Sequence, residues 1–418
     1  MCYHPGVPRP LHIGLVFDTS LGKQRSVLRG IMHYAQTRPR WTFVLDDAAG
    51  LTRHTLDAMH PEGLIAYVGT QKLADELLHR RRPVVNVSSL LPGAPFPRVM
   101  ADHRRIGRMA FDHLRGCGLA HFGFLGHAGH LYSTEREAGF RDGLDQHIAK
   151  SGSVDDLSHT GLKRLRRNGQ EPPGARMTYH RRLIPSSTSF LRQARRLAVN
   201  AGLIDWLQSL PKPVGVFASH DIWGVPIVEA CRRRGLRVPD EVAVIGVDND
   251  DLLCLLSRPS LSSVVVADER IGYEAAALLD RLLRGEKQPT RPTLVAPTGV
   301  VTRQSSDMLA GGDPDLTAAV RFIRDHAHQP LHVEDVLRQV GVSRRSLELK
   351  FRTVLRRGIA EELRRVHLEL ARQLLASTSL PVGEVAERAG FASVYYMSRI
   401  FRARLNQTPT AYRRQFHD

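Results

Sequence analysis

The sequence predicts an α/β fold built on parallel sheets, followed by an all-α domain with two helix-turn-helix motifs. Three observations predict it. Over the first three hundred residues, short apolar β-rich runs alternate with amphipathic stretches, as in parallel sheets covered on both faces. After residue 315 the pattern is helical throughout. In the helical stretch, a single arrangement of glycine, capping serine and apolar stripe occurs twice.

Taken in order, the strands are expected at 11–17 (LHIGLVF), 41–45, 63–68, 83–87, 121–126, 214–219 (VGVFAS) and 242–247 (VAVIGV), with helices at 24–36, 71–80, 104–115 and 221–234 among them. Ligands of such sheets bind just beyond the carboxyl ends of the strands. Polar residues stand there: Asp18 and Thr19, then Ser219, His220 and Asp221, then Asp248, Asn249, Asp250 and Asp251. Residues 150–195, rich in Gly, Pro, Ser and Arg, break the rhythm and read as a variable basic insertion, a surface loop with one short helix. Gly-Gly and Asp-Pro near 305–315 mark the interdomain seam. The expected organisation is an α/β domain at 1–305, a linker at 306–314 and a helical domain at 315–418.

The helical domain has clear start and stop signals. A helix from 333 to 340 ends at Gly341, and Ser343 caps the next, with Leu347 and Phe351 four and eight residues beyond it. A long helix covers 359–376. A helix over 382–389 then ends at Gly390, and Ser393 caps another whose Met397 and Phe401 take the same two places, with Ile400 beside them. With those apolar residues inside, the first capped helix exposes Arg344, Arg345, Glu348 and Arg352. The second exposes Val394, Tyr395, Ser398, Arg399 and Arg402. Arginine reads guanine bidentately in the major groove, and Tyr and Ser hold phosphates or contact bases. A single such corner is more often plain packing; a duplicated one favours double-stranded DNA as partner.

Composition sets the limits. Apolar residues at 42% and charged residues at 24% exclude a disordered or fibrous chain. Four scattered cysteines without a C-x-x-C fit a reducing cytoplasm, the expected location, and neither a secretory signal nor a membrane-spanning run is read. Lys plus Arg number 59 against 42 Asp plus Glu, a net charge of +17, which fits a polyanionic partner or an Arg-rich coding background equally. Half of the surplus lies in residues 160–196, where ten basic residues meet one acid.

Residues 316–416 resemble the arabinose-regulator (AraC/XylS) family of transcription factors, through Ala386–Gly390, Phe391, Ser393, Phe401 and the closing Thr408–Pro409–Tyr412–Arg413. The resemblance implies base contacts two, five and six places after each capping serine: Arg345, Glu348 and Leu349, then Tyr395, Ser398 and Arg399. Leu349 departs from the polar residue expected, so packing is its alternative role. The first half, through STEREAGFRDGL, VIGVDNDD and LSSVVVADERIGYEAAALL, resembles the lactose- and galactose-repressor sensors, implying a two-lobed periplasmic-binding-protein-like fold. Together the two resemblances imply a sugar-responsive activator of carbohydrate metabolism. D-xylose is the implied effector, and RNA polymerase and a second copy of the chain, as a homodimer, are implied partners.

Sugar hydroxyls need carboxylates and amides in pairs, plus an aromatic face. The ligand candidates are Asp18, Asp102, Tyr132, Arg136, His220, Asp221, Asp248 and Asn249, with Phe17 and Trp223 as further aromatics. Asp221 and Asp102 also begin helices, so capping and ligand contact stay open for both. Asp18, Arg136 and Asp248 are favoured because they match the sensor family's ligand positions. Nothing supports catalysis: G-x-S-x-G, P-loop and H-E-x-x-H are missing, and GFLGHAGH lacks the G-x-G-x-x-G spacing. No enzyme activity, cofactor or metal is expected.

Overall fold

The computed structural model describes residues 10–38, 40–46, 60–151, 177–185, 190–308, 313–355 and 357–417. The chain runs β1 (Leu11–Val16), α1 (Gly22–Ala35), β2 (Trp41–Asp46), β3 (Gly63–Ala66), α2 (Gln71–Leu78), β4 (Val84–Asn86) and β5 (Val99–Ala101). It continues through α3 (His103–Gly116), β6 (His121–His127), α4 (Leu131–Ser151), β7 (Thr178–Ile184), α5 (Phe190–Leu197), α6 (Ala201–Ser209) and β8 (Val214–Ala218). Next come α7 (Asp221–Arg233), β9 (Val242–Val247), α8 (Asp251–Leu256), β10 (Ser262–Val265), α9 (Asp268–Leu283), β11 (Thr293–Val295) and β12 (Gly299–Val301). Helices alone follow: α10 (Pro314–Asp325), α11 (Val333–Val340), α12 (Arg344–Leu355), α13 (Ile359–Ser377), α14 (Val382–Arg388), α15 (Val394–Leu405) and α16 (Pro409–His417).

The chain divides into two compact units. The first comprises Met1–Asp102, His130–Tyr132 and Ala267–Pro297. Its sheet is parallel, in the order β2-β1-β3-β4, and β5 pairs in parallel with β11. Along the inner strand β3, Gly63–Ala66 are all buried, which explains the uninterrupted apolar run. Helix α1 packs on α9, where the Tyr34 hydroxyl donates to Asp280 at 2.7 Å and Arg38 Nε donates to the same oxygen at 2.9 Å.

The second unit comprises His103–Gly129, Ser133–Val266 and Thr298–Asp418. Its six-stranded sheet has the order β12-β10-β9-β8-β6-β7, parallel except for β12, which runs antiparallel to β10. Strands β8 and β9 are buried along their whole length, and Val216, Val244, Trp223 and Ile227 join one core cluster. Strand β7 corrects the sequence reading of 150–195. Residues 178–184, expected in a surface loop, extend the core sheet as its edge, in register with β6 from His121↔Thr178 to His127↔Ile184. Its basic residues are engaged: Arg181 pairs with Glu137 at 2.9 Å, and the Arg182 guanidinium lies 5.5 Å from the Trp206 ring centre. The remainder of the expected insertion, 152–176 and 186–189, and residues 309–312 of the expected linker lie outside the described residues.

The helices from α10 onward form a core of their own around Leu316, Val320, Val336, Leu347, Phe351, Ile359 and Leu363. On α13, Glu362 is fully buried between Arg357 and Arg365, the latter at 2.6 Å. Burial opposes its ionisation, but the hydrogen bond and charge of Arg365, with the charges of Arg357 and Arg324, hold its carboxyl down to about 2.

Candidate functional site

The site in the second unit grows from two strand ends. Strand β8 delivers Ser219 and His220, and β9 delivers Asp248 and Asn249, with left-handed φ values of 101° and 55°. Asp and Asn adopt that backbone more readily than other non-glycine residues, and residues held in it cluster at functional sites. Helix α4 adds Arg136. Its Nη1 donates to the Ser219 carbonyl oxygen, and its Nη2 donates to Asp248 Oδ1 at 3.4 Å. His220 Nε2 lies 2.5 Å from Asp248 Oδ2. Arg136 and Asp248 are almost wholly buried, while the His220 side chain stays 31% exposed. A carboxylate between a guanidinium and an imidazole sets acceptors and donors within one hydrogen-bond length. Neighbouring sugar hydroxyls demand that pairing.

Two other candidates, Asp221 and Asn249, are tied into the protein by hydrogen bonds of their own. Asp221 is completely buried at the start of α7. Its Oδ2 accepts from the Asp250 N–H at 2.9 Å, its Oδ1 accepts from Ser263 Oγ at 2.7 Å, and the Cys254 thiol lies 3.5 Å away. It therefore fixes the Asp248–Asp250 turn from beneath. Burial, and next the charge of Asp248, push its carboxyl up to about 7. The Asn249 side-chain oxygen accepts from Arg303 Nη2 at 2.8 Å, and its N–H donates to Ser263 Oγ at 2.9 Å. Arg303 and Ser263 escaped the sequence reading. A buried Ser-Ser pair inside an apolar strand was the one available signal for Ser263.

In the first unit, Asp18 follows β1. Its Oδ1 accepts from the Ser20 N–H at 2.9 Å and from the Ser20 hydroxyl at 2.5 Å, while its own N–H donates to Gln24 Oε1 at 2.7 Å. Asp102 follows β5 and donates its N–H to the Val295 carbonyl oxygen at 2.8 Å. Tyr132 is mostly buried, with its ring centre 5.5 Å from that of His130. The further aromatics need correction: Phe17 and Trp223 are fully enclosed in the cores and present no face to a ligand.

The helical region places the duplicated pattern as expected. Ser343 Oγ accepts from the Ser346 N–H at 3.3 Å, and Ser393 Oγ accepts from the Tyr396 N–H at 3.1 Å, so both serines cap. Leu347, Phe351, Met397 and Phe401 are fully buried. Gly341 and Gly390, with φ of 75° and 71°, make the two corners. Arg344, Arg345, Arg352, Tyr395, Arg399 and Arg402 are all exposed, Tyr395 by 79%. Glu348 and Ser398 are half-buried. Arg344 reaches Glu334 at 3.2 Å, Arg352 stands 3.9 Å from Glu348, and the Arg399 guanidinium lies 5.2 Å from the Tyr396 ring centre. Leu349 does not pack: it is 65% exposed.

A polar strand-end site on a parallel α/β sheet, followed by two capped helix-turn-helix units, defines a transcription regulator with a sensor domain. Residues 111–306 match the periplasmic binding protein-like domain, and residues 336–415 match a helix-turn-helix domain. The xylose operon regulatory protein of Escherichia coli strain K12 is 30% identical over 409 residues, 96% of each chain. That of Haemophilus influenzae is 28% identical, over 96% of this chain and 97% of its own. The solved structure of the xylose-binding transcription activator xylR is 29% identical, with a TM-score of 0.55, covering 97% of this chain and 98% of that one. The chain belongs to the family of xylose operon regulatory proteins.

Proposed function

We propose that this chain is a D-xylose-responsive activator of sugar catabolic genes. It works in the cytoplasm as a homodimer that engages RNA polymerase, and it has no catalytic activity. The convergence of Arg136, His220 and Asp248 at the strand ends carries the reading. Residues 1–305 act as the sensor, 306–314 as the linker and 315–418 as the DNA-binding domain. Asp18, Asp102 and Tyr132 are further ligand-binding residues of this reading, while Asn249 and Asp221 hold the Asp248 turn in shape.

A sugar shifts DNA binding only by its difference in affinity for two states of the protein. Charge-assisted hydrogen bonds to Asp248 and Arg136 supply such a difference. Homodimerisation is supported by Leu252, Leu255 and Leu256, which α8 holds more than half exposed, as apolar clusters at protein contacts are. Sedimentation showing a strict monomer, free and DNA-bound, contradicts the dimer.

A thermal-shift panel of monosaccharides tests the effector. A ligand at a hundred times its Kd stabilises by about 2.7 kcal/mol, so D-xylose should raise the melting temperature above every other pentose and hexose. A panel in which another sugar wins, or none acts, refutes the assignment.

A further inference from the structure

We propose that Leu349 reads a thymine methyl group in the major groove and so sets base preference for the first helix-turn-helix unit. The inference rests on the reading of these units as a DNA-binding surface. Leu349 lies on α12, one turn after Arg345 and less than one turn before Arg352, so at 3.6 residues per turn the three share a face. Both arginines are exposed, and Leu349 between them is 65% exposed. The apolar residues that hold α12 down, Leu347 and Phe351, are fully buried on the opposite side.

A lone exposed leucine is ordinary on a protein surface. This one sits centrally in a stripe otherwise made of cations, and that stripe belongs to the second helix of a capped helix-turn-helix. The duplication sharpens the point. Leu349 follows Ser343 by six residues and Arg399 follows Ser393 by six, so the two occupy one place in the repeat. Both serines cap, and both side chains are exposed. The same position thus carries an exposed cation in one unit and an exposed aliphatic group in the other.

Leucine has nothing to donate or accept. Among the four bases only thymine presents an apolar group, its C5-methyl, in the major groove. Any other base there sets a polar edge against the leucine, stripped of water with no partner. Leu349 therefore both attracts thymine and rejects the alternatives, while Arg345 and Arg352 fix the helix on the backbone or on flanking bases.

The test uses the full-length protein and a duplex it enriches from a randomised pool. Each thymine is replaced in turn by deoxyuridine, which removes only the methyl. One replacement should weaken wild-type binding about fourfold, the worth of one buried methyl-sized group. Leu349→Ala, with unchanged circular dichroism, should bind the parent duplex weaker by a similar factor and not distinguish it from that uracil duplex. The proposal is overturned if every uracil duplex weakens the two proteins alike. It is equally overturned if Leu349→Ala binds the parent duplex as wild type does; loss of transcription alone would then mark Leu349 as a protein contact. Enrichment of no duplex overturns the DNA-binding reading together with this one.

Discussion

His220 Nε2 stands 2.5 Å from Asp248 Oδ2, while Nδ1 of the same ring accepts from the Ile222 N–H at 3.4 Å. One imidazole thus caps α7 and stands against the carboxylate at the end of β9. The shape of the Asp248–Asp250 turn is therefore tied to the start of a core helix. Arg136, held by the Ser219 carbonyl oxygen, braces it from the other side.

Arg399→Ala should weaken binding to the selected duplex by about 1–3 kcal/mol and relax base preference at one position. Arg399 is exposed and its guanidinium lies against the Tyr396 ring, which limits its freedom before it meets DNA. Reselection from a randomised pool checks this. An equal loss on all sequences would show a phosphate contact in place of a base contact.

The two corner glycines should differ in what they tolerate. A methyl group at Gly390 would press on the carbonyl oxygens of Gln329 and Ala327, the latter at 2.6 Å, whereas the space beside Gly341 is open. Both have positive φ, so alanine costs about 1–2 kcal/mol at either. Overpacking adds about 1–3 kcal/mol at position 390 alone. Denaturant melts of Gly341→Ala and Gly390→Ala should show the second clearly less stable; equal losses contradict the close approach.

These contrasts mark what was legible in the sequence. Ser343 and Ser393 stood out because a cap followed by apolar residues four and eight places on has one helical reading. β7 did not, because an edge strand with one neighbour can leave Arg181 toward solvent and Arg182 against the Trp206 ring, and its sequence then lacks the apolar run of β8 or β9. The strand-end rule located Asp248, Asn249, His220 and Asp221 together. It could not separate them, since a carboxylate before a helix looks the same whether it faces a ligand or, like Asp221, lies beneath the turn. Whether an aromatic is core or pocket is likewise a matter of tertiary packing, which is how Trp223 came to be read as available.

Stability should fall between about pH 4 and pH 7 through Asp221. Its carboxyl is raised to about 7 in the folded chain and returns to its ordinary value of 3.8 on unfolding. Across that window the native state binds the extra proton, so its contribution is full below the unfolded value and is lost as pH rises through the folded one. Urea melts of wild type and Asp221→Asn should show the variant with the flatter profile over this range. Parallel profiles would mean that Asp221 is ionised throughout.

The central claim is that Asp248 couples sugar to DNA. The direct measurement is a titration of operator duplex with and without D-xylose, for wild type and Asp248→Asn, a substitution that tolerates the left-handed backbone at this position. Loss of a charge-assisted hydrogen bond is worth about 1.5–3 kcal/mol, so the variant should need about 10- to 100-fold more sugar for the same change in DNA affinity. Its sugar-free affinity should equal that of wild type. A variant that responds at the wild-type sugar concentration, or a wild type whose DNA affinity D-xylose leaves unchanged, would contradict the account.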